Sequence, residues 1–305
     1  MTTQIFVSLA FYLLHAALLP FLLVGLIRAG KARLQMRQGP PVWQPLWDFL
    51  KMMRKGETVS QTTTWIFRSA PLVNLACVLG AALMVPWLGL ATPIHGDLFL
   101  VVYVLALGKF ATGLAALDTG SSFGALGASR EATVSIQAEP ALVLGLAALA
   151  AQAQSSSFAA MLEPGRSGLV LVLIPLVTVA LALAAVAELA RMPVDDPTTH
   201  LELTMIHEAM ILDNSGRNLA LVEYAVGLKT CLLLGLLAQV LQMGSPALPP
   251  VAAWAGSLLL IGVGALVLVV VESTLVKLRW RRIPNLLSFA LAAGVLACLL
   301  VALKG

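Results

Sequence analysis

Eight runs of about 20 mostly apolar residues divide this chain, and no water-soluble fold accommodates them all. They cover residues 4–27, 69–90, 98–118, 132–153, 167–190, 217–243, 251–276 and 284–303. An α-helix rises about 1.5 Å per residue, so each run is long enough to cross a hydrocarbon layer about 30 Å thick. In lipid every backbone N–H and C=O must find its partner inside the segment, so each run is expected to be a helix. Composition agrees: 59% of the 305 residues are hydrophobic and 11% are charged, against about 25% charged in soluble domains. The sequence therefore predicts an all-α integral membrane protein. Residues 1–305 form a single polytopic membrane domain, a bundle of eight transmembrane helices. The start of the sequence lacks the basic segment and small-residue cleavage site of a signal peptide, so the first run is expected to be kept as a span.

Charge sets the orientation. Arg28, Lys31, Arg33, Arg37, Lys51, Arg54, Lys55 and Arg68 follow the first run, and Arg130 follows the third. Arg191 and Arg217 follow the fifth; Lys277, Arg279, Arg281 and Arg282 follow the seventh. These alternate loops hold fifteen of the 19 Lys and Arg residues. Such loops stay on the cytoplasmic side, which places both termini outside. The net charge of +4 thus reflects topology and not nucleic-acid binding.

Two shorter amphipathic segments are expected at the cytoplasmic interface. After Arg37-Gln38-Gly39-Pro40-Pro41, which enforces a non-helical turn, Leu46, Phe49, Leu50 and Met53 repeat on one helical face. Gln44, Asp48, Lys51 and Lys55 share the other. This segment either covers the bundle or offers Arg54 and Lys55 as a landing surface for a partner. The second begins at Asp196-Pro197, an N-cap and first-turn proline, and places His200, Thr204 and His207 on one face. Between the third and fourth runs, Gly120, Gly124 and Gly127 predict a closely packed loop.

Residues 188–224 hold seven of the fifteen acidic residues: Glu188, Asp195, Asp196, Glu202, Glu208, Asp213 and Glu223. Carboxylates at membrane depth are costly, about 2.5–3.5 kcal/mol near a helix centre on insertion scales. By position along the runs, Asp118, Glu139, Glu188, Glu223 and Glu272 fall in the cytoplasmic third. Lys109 and Lys229 fall near the midplane, and in the outer half only His15 is ionisable. Polarity thus enters from the cytoplasm and stops halfway. Acid–base groups at that depth suit a proton relay that leaves sideways; static ion pairing, for example of Lys229 with a buried Glu, is the alternative. Cys77, Cys231 and Cys298 are isolated, with no C-x-x-C pair, so no iron–sulfur cluster or structural zinc is encoded. His207-Glu208 lacks the second His of a zinc-protease motif, Ile211 standing there.

These residues resemble a known family. The stretch from Glu188 to Pro197 (ELARMPVDDP), followed by a carboxylate-rich segment, resembles the loop after the fifth span in the complex I subunit 1 family of NADH-quinone oxidoreductases. Arg37–Pro41 and the Glu223-Tyr224 pair are similar too. The stretches Leu117–Ala132 and His200–Leu221 resemble one branch specifically, the formate hydrogenlyase subunit 4-like membrane subunit of membrane-bound nickel–iron hydrogenases. The sequence departs from the quinone-using branch at Val194, where that branch has phenylalanine, and at Thr198, where it has an acid.

The resemblance implies roles at matched positions. Glu139, Glu188 and Glu223 would be carboxylates of a proton path, with Asp195 and Glu202 in the acidic loop. Arg37, Arg130 and Arg191 would lie near the interface with a hydrophilic arm. It also implies a non-catalytic, ion-translocating anchor subunit in a bacterial or archaeal plasma membrane. Partners would be cluster-bearing soluble subunits and antiporter-like membrane subunits, and the protein itself would hold neither metal nor cofactor. A quinone-pocket subunit of a respiratory complex I is the second reading. A self-sufficient transporter is disfavoured because no internal repeat is present.

Overall fold

The computed structural model describes residues 2–164, 169–196 and 205–304. Among them are eleven α-helices and no strand: α1 (Thr2–Leu34), α2 (Gln44–Met53), α3 (Trp65–Met84), α4 (Leu98–Asp118), α5 (Ser122–Ala153), α6 (Phe158–Met161), α7 (Leu169–Glu188), α8 (His207–Ile211), α9 (Gly216–Gln242), α10 (Pro250–Thr274) and α11 (Ile283–Lys304). Eight of these, α1, α3, α4, α5, α7, α9, α10 and α11, are long and apolar enough to cross a membrane. The protein is a multi-pass membrane protein.

The four basic loops lie on one face, laced together by hydrogen bonds. Asp118 at the end of α4 accepts from the Thr64 N–H (2.7 Å), the Thr64 hydroxyl (2.8 Å) and the Phe67 N–H (3.2 Å), capping α3. Ser215 exchanges hydrogen bonds with Thr58. The Leu278 N–H donates to Pro193 C=O at 2.9 Å, and Lys277 pairs with Asp195 at 2.5 Å. On the opposite face the Leu98 N–H donates to Ser156 C=O and the Tyr12 hydroxyl to Leu90 C=O.

α9 is the axis of the bundle, with buried residues on nearly every side from Asn218 to Val240. Small residues let its neighbours and theirs approach closely, as membrane helices without a hydrophobic driving force require. At Gly235 an added Cβ would meet the Trp87 Cβ at 2.6 Å, and at Gly294 on α11 it would meet the Leu144 Cβ of α5 at 3.0 Å.

α2 forms where its apolar stripe predicts, after the Gly-Pro-Pro turn. Its Phe49 ring lies 5.3 Å from Phe21 and 5.5 Å from Tyr224, while Trp47 faces outward. Of the second amphipathic segment, residues 197–204, including His200 and Glu202, lie outside the described residues. Its described end is α8, with Ala209, Met210 and Ile211 buried.

The stretch expected as a loop around Gly120–Arg130 is corrected by the structure. Only a short turn with Gly120 at φ +67° separates α4 from α5, and the helix starts at Ser122. Gly124 and Gly127 sit inside the helix because it presses on backbone there. A Cβ would meet Ala116 O at 2.5 Å at the first position and Ile206 O at 2.9 Å at the second. Close packing is what those glycines serve; reversal of direction needs only Gly120.

Candidate functional site

Four helices bring five charged side chains to one buried cluster. Lys109 extends from α4, and its Nζ lies 2.5 Å from Glu188 Oε1 on α7. The same ammonium reaches Glu139 Oε1 at 3.1 Å, Ser135 Oγ at 3.0 Å and Glu131 Oε1 at 3.9 Å on α5. Residues 131, 135 and 139 recur at i, i+4 and i+8, so α5 offers them as one stripe. The other carboxylate oxygen of Glu188 takes Lys229 Nζ of α9 at 2.7 Å. Lys229 also donates to the backbone carbonyl of Glu188 at 3.1 Å. Glu188 is the last residue of α7, so a cation sits where the helix leaves carbonyls unpaired.

The arithmetic of this cluster matters for its chemistry. Three carboxylates face two ammonium groups, so full ionisation leaves one negative charge uncompensated. Lys109 serves three carboxylates at once, and Glu188 is shared between two lysines. Burial is graded: the Glu188 side chain is 7% exposed and Glu131 12%, whereas Glu139 is 40% exposed on the outer flank of α5. Pro140 removes an N–H next to Glu139 and loosens the backbone bonding there.

A larger cavity of about 580 Å³ lies between this cluster and the basic face. Asp195 forms part of its wall and is 1% exposed. Its carboxylate accepts from the Ile206 N–H (3.1 Å) and His207 N–H (3.2 Å) and pairs with Lys277. Arg191 binds Glu272 at 3.0 Å, and Lys31 joins Glu272 at 3.5 Å and Asp196 at 3.9 Å. Arg28 and Glu223 line the same cavity and also a narrow cleft between α1, α2 and α9. Phe21, Phe49 and Tyr224 border that cleft, the Phe21 and Tyr224 rings being stacked at 5.3 Å.

The residues singled out in the sequence therefore divide. Lys109, Glu139, Glu188 and Lys229 come together in the cluster. Glu223 and Asp195 line the chamber instead, and Asp118 is a helix cap with no place in either. Glu202 lies outside the described residues. Of the basic positions, Arg37, Arg54 and Lys55 are exposed. Arg130 turns inward, donating to Met205 C=O at 2.9 Å with its guanidinium over the Trp280 ring. Arg191 is buried against Glu272. Both inward arginines brace the interior, because an unpaired guanidinium there is costly.

Sequence reasoning gave no site role to Glu131, His207, Lys277 or Lys31. His207 is held neutral: burial pushes its imidazole down to about 4, Asp195 opposing this and Lys229 and Arg191 adding to it. Among the described residues, no three His, Cys, Asp or Glu side chains converge in a way that would hold a metal ion.

With this geometry in view, the comparisons with known proteins are consistent with one another. A family model described as NADH dehydrogenase matches residues 6–303. Formate hydrogenlyase subunit 4 of Escherichia coli (strain K12) is 31% identical over 284 residues, covering 87% of this protein and 88% of the relative. An NADH-quinone oxidoreductase subunit of the H type from Syntrophobacter fumaroxidans is 30% identical over 302 residues, covering 92% and 88%. Among solved structures, one polypeptide of the membrane-bound sulfane sulfur reductase, an archaeal respiratory membrane complex, superposes with a TM-score of 0.83 at 19% identity, covering 98% of this protein and 99% of that one. At that identity the likeness is one of fold.

Proposed function

This protein belongs to the NADH dehydrogenase family, among the membrane subunits of the complex I subunit 1 type, and from that premise we propose that it anchors a soluble redox arm and couples the arm's chemistry to ion movement. The similarity to formate hydrogenlyase subunit 4 favours a complex of the energy-converting hydrogenase type. Residues 1–305 act as one polytopic unit in a bacterial or archaeal plasma membrane, with both termini outside and the basic face in the cytoplasm. The cluster-bearing arm docks on that face over the chamber, where Arg37, Arg54 and Lys55 are exposed. Antiporter-like subunits lie to the side.

One observation carries this reading: three carboxylates share two ammonium groups in a buried cluster. A balanced set of pairs would be a static brace. A set with one carboxylate in excess takes up a proton, or a small cation, without leaving a bare positive charge. It releases that ion when the local field changes, as it would on reduction of the arm. Glu139, half-exposed on the flank, is the lateral end of the path. Charge reversal at Arg54 and Lys55 together should release the arm from the membrane. A tag on this protein should retrieve the arm and antiporter-like subunits, and vesicles of that complex should take up ions when the arm turns over. Retrieval of the tagged protein without a redox partner would rule the reading out.

A second reading has its own support. A chamber of about 580 Å³ falls in the size range of small-molecule sites, about 300–1,000 Å³. Phe21, Phe49 and Tyr224 gather at a cleft beside it. The sequence has only 19 aromatic residues (10 Phe, 6 Trp, 3 Tyr), which argues against a quinone pocket, yet three of them meet where such a molecule would pass. Under the first reading quinone-site inhibitors leave turnover unchanged; inhibition competitive with added quinone would establish the second.

A further inference from the structure

The chamber and the cluster do not share their charged residues. The chamber of about 580 Å³ contains Arg191, Asp195, Glu223 and Glu272 in its wall, while a separate cleft of about 50 Å³ is lined by Lys109, Glu131, Glu188 and Lys229. Three residues line both spaces: Leu189, Val226 and His207. Leu189 and Val226 are hydrocarbon, so among the described residues only His207 joins the two compartments with a group that can carry a proton.

The way His207 is held fits that position. Its backbone N–H is fixed on the Asp195 carboxylate, which Lys277 and the Ile206 N–H hold in turn. Of its ring, Nε2 is shut from solvent and has no hydrogen-bond partner among the described residues. A buried ring nitrogen without a partner is costly and is not what a purely structural histidine would display.

We infer that His207 passes protons between the chamber and the lysine–glutamate cluster. A neutral imidazole accepts a proton on one ring nitrogen and releases the proton held on the other, so one N–H bond forms as one breaks and no net charge stays behind. The donor is a protonated carboxyl group of the chamber, left as its carboxylate, and the acceptor is the carboxylate of Glu131 or Glu188 across the narrow cleft, left as its acid; the ring then returns to its starting tautomer by turning over. The inference rests on the coupling function proposed above and adds the step by which the cluster is loaded.

Its test is made on the intact complex in vesicles, reading ions taken up per electron passed. His207→Gln keeps polarity and much of the volume but cannot be protonated, so uptake per electron should fall by roughly tenfold or more. His207→Ala should fall likewise and recover several-fold when imidazole is added, because the chamber admits a free ring. Glu188→Gln should also fall but gain nothing from imidazole. Normal uptake in His207→Gln beside a failed Glu188→Gln would overturn the role of His207 and leave the coupling function standing. Normal uptake in both would remove the coupling function itself. An assembled His207→Ala complex that imidazole does not restore would also contradict the inference, and it decides the matter if the Gln variant does not assemble.

Discussion

The half of the bundle beneath the basic loops and the half opposite are made of the same apolar helices, yet they treat polar groups in contrasting ways. In the opposite half the interior is held by indole, amide and hydroxyl hydrogen bonds, and at its edge the Asp97 carboxylate caps a helix by accepting from the Phe99 N–H. The Trp87 indole, fully buried, donates to Ala82 C=O at 2.8 Å, and the Trp254 indole donates to His15 Nε2 at 3.2 Å. The amides of Gln239 and Gln242 both donate to Ser257 Oγ, at 2.9 and 3.0 Å, and that hydroxyl donates to Ala253 C=O. Trp87 closes against Gly235 so tightly that no side chain fits between them. In the basic half the groups are charged, they share partners, and they border cavities. On the function proposed above, the first arrangement is the seal and the second is the route of the ion.

That contrast can be broken in both halves. The largest effect is expected at Lys109→Met, which removes the cation serving three carboxylates. The purified complex should lose about 3–5 kcal/mol of stability, because charges are left buried without a partner. Adding Glu139→Gln should recover part of that loss in thermal melts but none of the ion uptake. Recovery of both would mean the cluster is only a brace.

Next comes the seal. Trp87→Ala should cost about 4 kcal/mol through the cavity it leaves, and vesicles should become leaky to protons without any turnover. A stable and tight variant would show that closure lies elsewhere.

A smaller effect follows from His207. Its imidazole is depressed to about 4 in the folded protein, against about 6.5 when unfolded. Between those values the unfolded state binds the extra proton, so stability falls as pH drops from about 6.5 to about 4 and is unaffected above that window. Acidification should cost the native protein about 3 kcal/mol more than it costs His207→Gln. Parallel pH curves for the two would contradict the burial argument.

Much of this architecture was legible in the sequence. Eight apolar runs became eight helices because backbone polarity leaves lipid-exposed segments no other choice. The Phe49 stripe became α2 for the same reason that any short amphipathic segment lies flat. What escaped was decided by helix extent. Reading Gly120–Arg130 as a loop left Glu131 at the very opening of the fourth span, with no role, although Glu131, Ser135 and Glu139 recur at four-residue spacing and would have signalled one helical face. The pairing of Lys229 with Glu188, and not with Glu223 on its own helix, depends on how α7 and α9 cross, which no local pattern records. Asp118 appeared equivalent to Glu139 by depth, and only tertiary contact shows it capping α3. His207 stood out in the sequence only as a polar-face residue beside Glu208; its place between two cavities depends on tertiary packing.

The smallest effect supplies the control for the central claim. Gln239→Met trades one neutral hydrogen bond for a side chain of similar volume, a cost of about 1 kcal/mol. Glu188→Gln changes just as few atoms, but in the half whose groups change charge. The decisive measurement is ions taken up per electron by both variants in the same vesicle preparation. The account predicts the native ratio for Gln239→Met and a loss of roughly tenfold or more for Glu188→Gln. A native ratio in Glu188→Gln, or an equal loss in both, would contradict it.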